Sequence, residues 1–202
     1  MFADLLRDRL RGMIPLSQEQ VCALERHHAM LTRWNKVLNL TAVRDLEEVV
    51  ARHYCESLYL GTQLPAGVLT VADVGTGGGF PGVPVAILRP DCTVCLIESH
   101  QRKAVFLRES SRELQNVRVL AKRAEEVREE FNWVVCRAVK FGDVGRVLAR
   151  LAPNLALLGG EEEPGQLKGL VWAEPVRLPW GARRYVWVGN VVSREVSRET
   201  QK

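Results

Sequence analysis

Apolar residues recur at helical spacing through the first third of the chain. Leu5, Leu6, Leu10 and Met13 alternate with Asp4, Arg7, Asp8 and Arg11, so residues 2–14 read as an amphipathic helix that Pro15 ends. Ser17-Gln18-Glu19-Gln20 then has the form of a capping box, with the Ser17 hydroxyl and the Gln20 side chain available to the first free N–H groups of a second helix. Val21, Leu24, His28, Leu31, Trp34 and Leu38 follow at spacings of three and four and predict a long helix with one buried face. His28 on that stripe is expected to pack and hydrogen-bond rather than to hold a ligand. Asn39-Leu40-Thr41 breaks the pattern, and Val49, Val50, His53, Leu58 and Leu60 resume it across 46–60.

From residue 68 the rhythm changes to strands alternating with helices. Val68, Leu69, Val71, Ala72 and Val74 form an apolar run into a glycine cluster, and Val83, Val85, Ala86, Ile87 and Leu88 continue as a helix that Arg89-Pro90-Asp91 stops. A second strand, 93–97, is closed by Glu98. The helix after it carries Ala104, Leu107 and Leu114 inward and Arg102, Arg108 and Arg112 outward. Strands at 117–120 and 133–137, a helix near Glu125, a helix over 143–151 and a fifth strand from Pro153 to Leu158 complete the alternation. This order predicts a doubly wound, mostly parallel α/β sheet. Segments 169–178 and 183–191, joined by Pro179-Trp180-Gly181-Ala182, read as a C-terminal antiparallel pair at the sheet edge. No Gly/Pro/Ser-rich linker separates the two regimes. The expected organisation is a helical cap over 1–66, a core over 67–192 and a polar tail over 193–202, where Val-Ser-Arg-Glu occurs twice.

Composition narrows the class. The chain has 202 residues, 47% of them hydrophobic and 26% charged, as in soluble globular proteins. It has no apolar run of the roughly 18 residues a membrane helix needs, and its N-terminus lacks the apolar core of a signal peptide. A cytoplasmic protein is expected. Five cysteines in no framework spacing fit reduced thiols. Cys92 and Cys95 form a C-x-x-C inside a strand, where residues three apart point to opposite faces and share no metal. The net charge of +4 permits a nucleic-acid partner without requiring one.

The candidate chemistry lies at Asp73-Val74-Gly75-Thr76-Gly77-Gly78-Gly79-Phe80-Pro81-Gly82. Glycines at a strand-to-helix turn allow positive φ and let a ligand approach the backbone. Two patterns overlap here. Gly77, Gly79 and Gly82 satisfy the dinucleotide fingerprint, which seats a pyrophosphate on free helix N–H groups. Asp73, Gly75, Gly77 and Gly79 instead resemble the D-x-G-x-G-x-G loop of S-adenosylmethionine-dependent methyltransferases, whose ligand carries no phosphate. Pro81, placed in the first turn of the helix, removes a donor a pyrophosphate would use. Glu98, some twenty residues on, suits the two hydroxyls of a ribose in either case.

Asn39-Leu40-Thr41 after Trp34-Asn35, His53 and Ser57, the glycine loop ending Phe80-Pro81-Gly82, Glu98-Ser99 and Arg137-Ala138 together resemble the glucose-inhibited division protein B family over 24–169. The resemblance implies a class I methyltransferase fold. It also implies transfer from S-adenosylmethionine to N7 of a guanine in 16S ribosomal RNA. Carried over by motif, the cofactor residues are Gly75, Gly77, Gly79, Phe80, Ala124, Glu125 and Arg137, with Glu98 on the ribose. Arg102, Arg123 and Lys168 are the candidates for RNA near the site, together with Arg137. Arg33, Lys36, Arg44 and Arg52 form a second basic set on the cap. After Gly160 the chain departs from the family: Glu161-Glu162-Glu163 stands there, and only Lys168-Gly169 remains of the pattern. Guanine N7 has a free lone pair, so attack on a sulfonium methyl needs alignment and no general base. No catalytic acid or base is therefore assigned, Arg137 being the one residue with a candidate catalytic role. The expected partner is 16S RNA or the small ribosomal subunit, and the expected state a monomer without metal. Two other readings stay open: a nicotinamide-dependent oxidoreductase, resting on the fingerprint and Glu98 but lacking an evident proton donor, and a non-catalytic RNA-binding assembly factor.

Overall fold

The computed structural model describes residues 1–137 and 140–192; the expected tail, 193–202, and Ala138 lie outside them. The N-terminal part is helical: α1 (Phe2–Leu10), α2 (Gln18–Leu38), α3 (Leu46–Val49), a π-helical segment (Val50–Cys55) and α4 (Glu56–Gln63). The alternating part gives β1 (Leu69–Val74), α5 (Gly82–Leu88), β2 (Cys92–Ile97), α6 (Gln101–Ser110), β3 (Val117–Leu120), a 3-10 turn (Ala124–Glu126), β4 (Trp133–Arg137), α7 (Phe141–Leu151) and β5 (Asn154–Gly159). Three further strands follow among the described residues, β6 (Leu170–Trp172), β7 (Val176–Arg177) and β8 (Tyr185–Val191).

The strands form one sheet in the order β3-β2-β1-β4-β5-β8-β6, with β7 also on β8. β1 to β5 are parallel; β8 runs antiparallel to β5, and β6 and β7 antiparallel to β8. The order reverses between β2-β1 and β1-β4, which opens a crevice beyond the carboxyl end of β1. The Ser17 capping box starts α2, with Gln20 N–H donating to Ser17 Oγ and Ser17 N–H to Gln20 Oε1. Asn39, in the left-handed region at φ 48°, ends it.

Alternate residues of the strands face two separate cores. Val71, Val94, Leu96, Val135 and Leu158 pack against Leu6, Leu24, Leu31, Tyr54, Leu58, Val83 and Phe106 from the helices of one side. Ala72, Cys95, Ile97, Val134, Cys136 and Leu155 pack against Leu148 and Leu151 of α7 on the other. Cys92 and Cys95 fall in different cores, as the strand period requires.

Several expected boundaries shift. α1 stops at Leu10 because a turn with Gly12 at φ 74° follows; Met13 is exposed and Ile14 is buried in its place. The buried stripe of α2 runs through His27 and Asn35, and His28 is only half-buried, stacked on Phe2 at 4.5 Å. The helix expected over 46–60 continues to Gln63 and widens midway into π geometry. α6 ends before Leu114, and the helix near Glu125 is a single 3-10 turn. Pro81 lies just before α5, so Pro84 is the proline inside its first turn. The strand expected over 169–178 is divided into β6 and β7, since Pro175 between them has no N–H for the ladder.

Candidate functional site

Register places the candidate residues along one edge. Val74 pairs with Ile97, Ile97 with Leu120, Asp73 with Val135, and Arg137 with Leu158. Gly75, Glu98, the segment leading to Ala124, and Arg137 therefore leave neighbouring strand ends.

The glycine loop is held from beneath. Gly75, Gly77 and Gly79 have φ of 71°, 56° and 91°. Gly79 N–H and Phe80 N–H both donate to Thr76 O at 2.9 Å, and Val83 N–H to Gly79 O at 2.8 Å. Gly82 N–H donates to Asp73 Oδ2 at 2.7 Å. A Cβ on Gly82 would stand 2.4 Å from Leu96 Cδ2 and 2.6 Å from Asp73 Oδ2, so this glycine serves close packing of helix on strand. These contacts decide between the two glycine patterns. The amides of Gly79, Phe80, Gly82 and Val83 are all taken by the protein, and Pro81 and Pro84 have none to offer, so among the described residues no set of free N–H groups remains at the start of this helix for a pyrophosphate.

Glu98 is 7% exposed, and its carboxylate joins two loops: Oε2 accepts from Gly77 N–H at 3.0 Å and Oε1 from His100 N–H at 2.8 Å. Each oxygen keeps a second lone pair for a hydroxyl donor. Asp73 is wholly buried, and burial pushes its carboxyl up to about 7 against the pull of the Thr76 hydroxyl and Gly82 N–H. Its Oδ1 and Thr76 Oγ1 nevertheless close no hydrogen bond of good geometry among the described residues. The electrostatic pull of Thr76 thus reflects proximity and not a formed bond.

Ala124 and Glu125 form the 3-10 turn, half-buried and exposed respectively. Arg150 of α7 anchors that turn through Ala124 O at 3.1 Å and Val127 O at 2.7 Å. Arg137 is half-buried; its Nη1 donates to Arg52 O at 2.7 Å and its guanidinium stands 5.8 Å from the centroid of Phe80. Burial lowers its pKa to about 10, which leaves it a cation at neutral pH. Arg102, Arg123 and Lys168 are exposed, as are Arg33, Lys36 and Arg44, and none is in an ion pair among the described residues. Arg52 is paired with Glu48 at 2.5 Å. Of the acidic run, Glu161 lies 3.7 Å from Arg183.

Phe80 is only 6% exposed, and around it lies a polar layer that periodicity does not disclose. His27 meets it edge-on at 5.3 Å, Tyr54 at 5.1 Å, and His53 is tilted over it at 4.8 Å. His53 Nε2 lies 2.6 Å from Thr41 Oγ1. Asn35 brackets the backbone of Thr41, its amide donating to Thr41 O and its carbonyl accepting from Thr41 N–H, both at 2.9 Å. Glu56, fully buried, takes a two-point contact from Arg184 at 3.0 and 2.6 Å and so ties the helices to the start of β8. Burial lowers both His27 and His53 to about 3, so both rings are neutral. Asn35, Thr41, His53 and Ser57 stand in the motifs read from the sequence; His27, Glu56, Arg150 and Arg184 had no signal there.

The family model described as GidB, rRNA small subunit methyltransferase G, matches residues 20–156. A ribosomal RNA small subunit methyltransferase G of Xanthomonas campestris pv. campestris is 47% identical over 183 residues, covering 87% of this chain and 80% of that protein. One of Xanthomonas euvesicatoria pv. vesicatoria is 51% identical over 108 residues, so that the match spans 52% of this chain and only half (50%) of that relative's length. Among solved structures, magnesium protoporphyrin IX methyltransferase of Synechocystis with bound SAH has a TM-score of 0.58 at 13% identity, covering 94% of this chain and 99% of that one. A SAM dependent methyltransferase of Aquifex aeolicus has 0.57 at 15%, covering 80% and 98%. At these identities the likeness concerns the fold, which is that of the class I S-adenosylmethionine methyltransferases. A glycine loop closed to phosphate, an acidic residue ending β2 and a family match across the helical layer and five parallel strands agree: this chain belongs to the GidB, or rRNA small subunit methyltransferase G, family.

Proposed function

We propose that this protein transfers a methyl group from S-adenosylmethionine to N7 of a guanine in the 16S RNA of the small ribosomal subunit. The observation that carries the reading is the glycine loop: its helix N–H groups are consumed internally while Glu98, fixed by Gly77 and His100, keeps acceptor capacity for a ribose. A Cβ on Gly77 would meet nothing nearer than Gly75 O at 3.9 Å, so the space above the loop is open to a ligand.

In this reading S-adenosylmethionine supplies an electrophilic sulfonium methyl, and the chain supplies alignment. Gly75, Gly77 and Gly79 present backbone, Glu98 accepts from the ribose, and the Ala124-Glu125 turn borders the base. Arg137 offers the guanidinium donors left over by Arg52 O to a carboxylate, a phosphate or the target guanine. Phe80, buried under the loop, supports Arg137 from below. Arg102, Arg123 and Lys168, exposed and in no ion pair among the described residues, would meet RNA phosphates, with Arg33, Lys36 and Arg44 as a second set. We take residues 1–66 as a cap sharing one core with 67–192, and the protein as a monomer. No helix of the described residues is long and apolar enough to cross a membrane.

The test is calorimetry with S-adenosylhomocysteine and NADH, followed by labelled methyl transfer to deproteinised 16S RNA and to isolated small subunits. S-adenosylhomocysteine should bind and NADH should not, and the label should map to N7 of one guanine. NADH binding without response to S-adenosylhomocysteine would overturn the reading, and RNA binding without transfer to either substrate form would favour an assembly factor.

A further inference from the structure

His27 lies on α2, in the helical layer, yet its ring reaches the glycine loop. It is 1% exposed. Its Nδ1 is 2.8 Å from the Tyr54 hydroxyl, which is itself fully buried. Its Nε2 has no hydrogen-bond partner among the described residues. That nitrogen is aimed at the loop, because a Cβ built on Gly79 would stand 2.9 Å from it.

The tautomer follows from counting. If Tyr54 donates to Nδ1, the phenol proton is used and only the Nε2–H lacks a partner. If instead Nδ1–H donates to Tyr54, the phenol proton and the Nε2 lone pair are both stranded in a dry site. The first arrangement leaves fewer buried groups unsatisfied and is therefore the one adopted. The Gly78 carbonyl, next along the backbone from Gly79, lies toward the ring and favours a proton on it, although no bond is closed. A buried N–H that has no partner among the described residues and lies against the loop is a group whose satisfaction depends on where the loop sits.

We propose that His27 is a positioning residue for the cofactor loop: when the loop closes on the adenosyl ligand, the Gly78 carbonyl moves onto Nε2–H, and α2 thereby adds to ligand affinity without touching the ligand. The proposal rests on the S-adenosylmethionine reading of the loop. It gives the helical layer a part in cofactor binding, because only an interaction made more strongly in the bound state shifts the equilibrium toward it.

The experiment is nitrogen-15 NMR of histidine side chains in the full chain, titrated with S-adenosylhomocysteine and combined with calorimetry on variants. The His27 Nε2–H proton should shift downfield and exchange more slowly at saturation, while Nδ1 stays an acceptor. His27→Phe should weaken S-adenosylhomocysteine binding about tenfold and raise KM for S-adenosylmethionine in step, with kcat falling less than threefold. Tyr54→Phe, which preserves the packing but frees the tautomer, should give a smaller loss of the same kind. His27→Gln should recover part of the affinity through its amide N–H. A Nε2–H signal unmoved by saturating ligand overturns the proposal, as does wild-type affinity in His27→Phe or a loss that only tracks its unfolded fraction. If His27→Phe does not fold, the wild-type spectrum decides. A wild-type protein that binds no S-adenosylhomocysteine removes this inference together with the function it rests on, whereas binding with a silent His27 removes the inference alone.

Discussion

On the side of the sheet that faces α7, the packing is dry: Ala72, Val74, Cys95, Ile97, Val134, Cys136 and Leu155 meet Phe131, Leu148 and Leu151. On the side covered by the N-terminal helices, His27, Asn35, His53, Glu56 and Ser57 are buried amid Leu24, Leu31, Val50, Tyr54 and Phe80. The second arrangement is the more demanding one, since each buried polar group must find a partner or cost stability. The partners show its purpose. Asn35 fixes Thr41, Thr41 meets His53, Arg52 O holds Arg137, and His27 stands under the glycine loop. The dry side supplies stability; the polar side fixes backbone positions around the strand ends.

This contrast predicts that damage separates by side. Leu148, fully buried on the dry side, should cost about 2–5 kcal/mol when truncated to Ala, through lost transfer energy and a residual cavity. Urea denaturation would measure it. Affinity for S-adenosylhomocysteine, corrected for folded fraction, should not move. A specific loss of affinity in Leu148→Ala would erase the distinction.

A smaller, graded effect comes from pH, and it belongs to the polar side. His27 and His53 have folded pKa values depressed to about 3, so the unfolded chain binds their protons first as pH falls below about 6.5, and stability is lost on the acid side. Asp73, raised to about 7, acts in the opposite sense: its contribution is present at low pH and is lost as pH rises from about 4 to 7. Near pH 5 two histidines oppose one carboxyl. The three together should make stability rise with pH by about 1.4 kcal/mol per unit there and leave it nearly flat at pH 7. His27→Phe should remove about one proton's worth of that slope. Denaturant titrations of both proteins at pH 5 and 7 check it, and an unchanged slope would mean the ring is charged in the folded state.

How far the sequence discloses these two sides depends on the kind of signal each leaves. The parallel strands are legible because apolar runs bounded by turn residues have few alternatives; 117–120 and 133–137 are found where they were read. The placement of the glycine loop, Glu98 and Arg137 at neighbouring strand ends is legible because strand ends converge in any sheet of this order. His27 is not, since a stripe of spacing three and four passes through both His27 and His28, and tertiary partners such as the Tyr54 hydroxyl, 27 residues on, pick out His27. The π geometry is invisible too. Glu56 N–H reaches back five residues to Ala51 O, a shift of one residue that apolar spacing tolerates. Arg184 and Glu56 are 128 residues apart, and a pair at that separation leaves no periodic trace.

Arg137 stands where the polar side meets the reacting edge, and it tests the contrast at the smallest scale. An ion pair with Glu98 or Asp73 would make it a structural residue, and neither exists within 4 Å among the described residues. One of its five N–H donors goes to Arg52 O, and the guanidinium lies over Phe80. It is thus aimed by the protein and, among the described residues, keeps most of its donors unspent. Removing it costs one charge-assisted hydrogen bond to a carbonyl, so some thermal stability is lost in Arg137→Ala. The decisive quantity is methyl transfer at equal folded fraction, which should fall at least about tenfold, roughly 1.4 kcal/mol of transition-state stabilisation. Arg137→Lys should recover little of it, because an ammonium cannot hold Arg52 O and present a planar fork to a second group at once. Initial rates at saturating S-adenosylmethionine, with melting curves on the same samples, separate the two roles. If activity in Arg137→Ala falls only with the unfolded fraction, or if Arg137→Lys is fully active, the guanidinium serves the junction between helices and sheet, and the polar side ends one residue short of the chemistry.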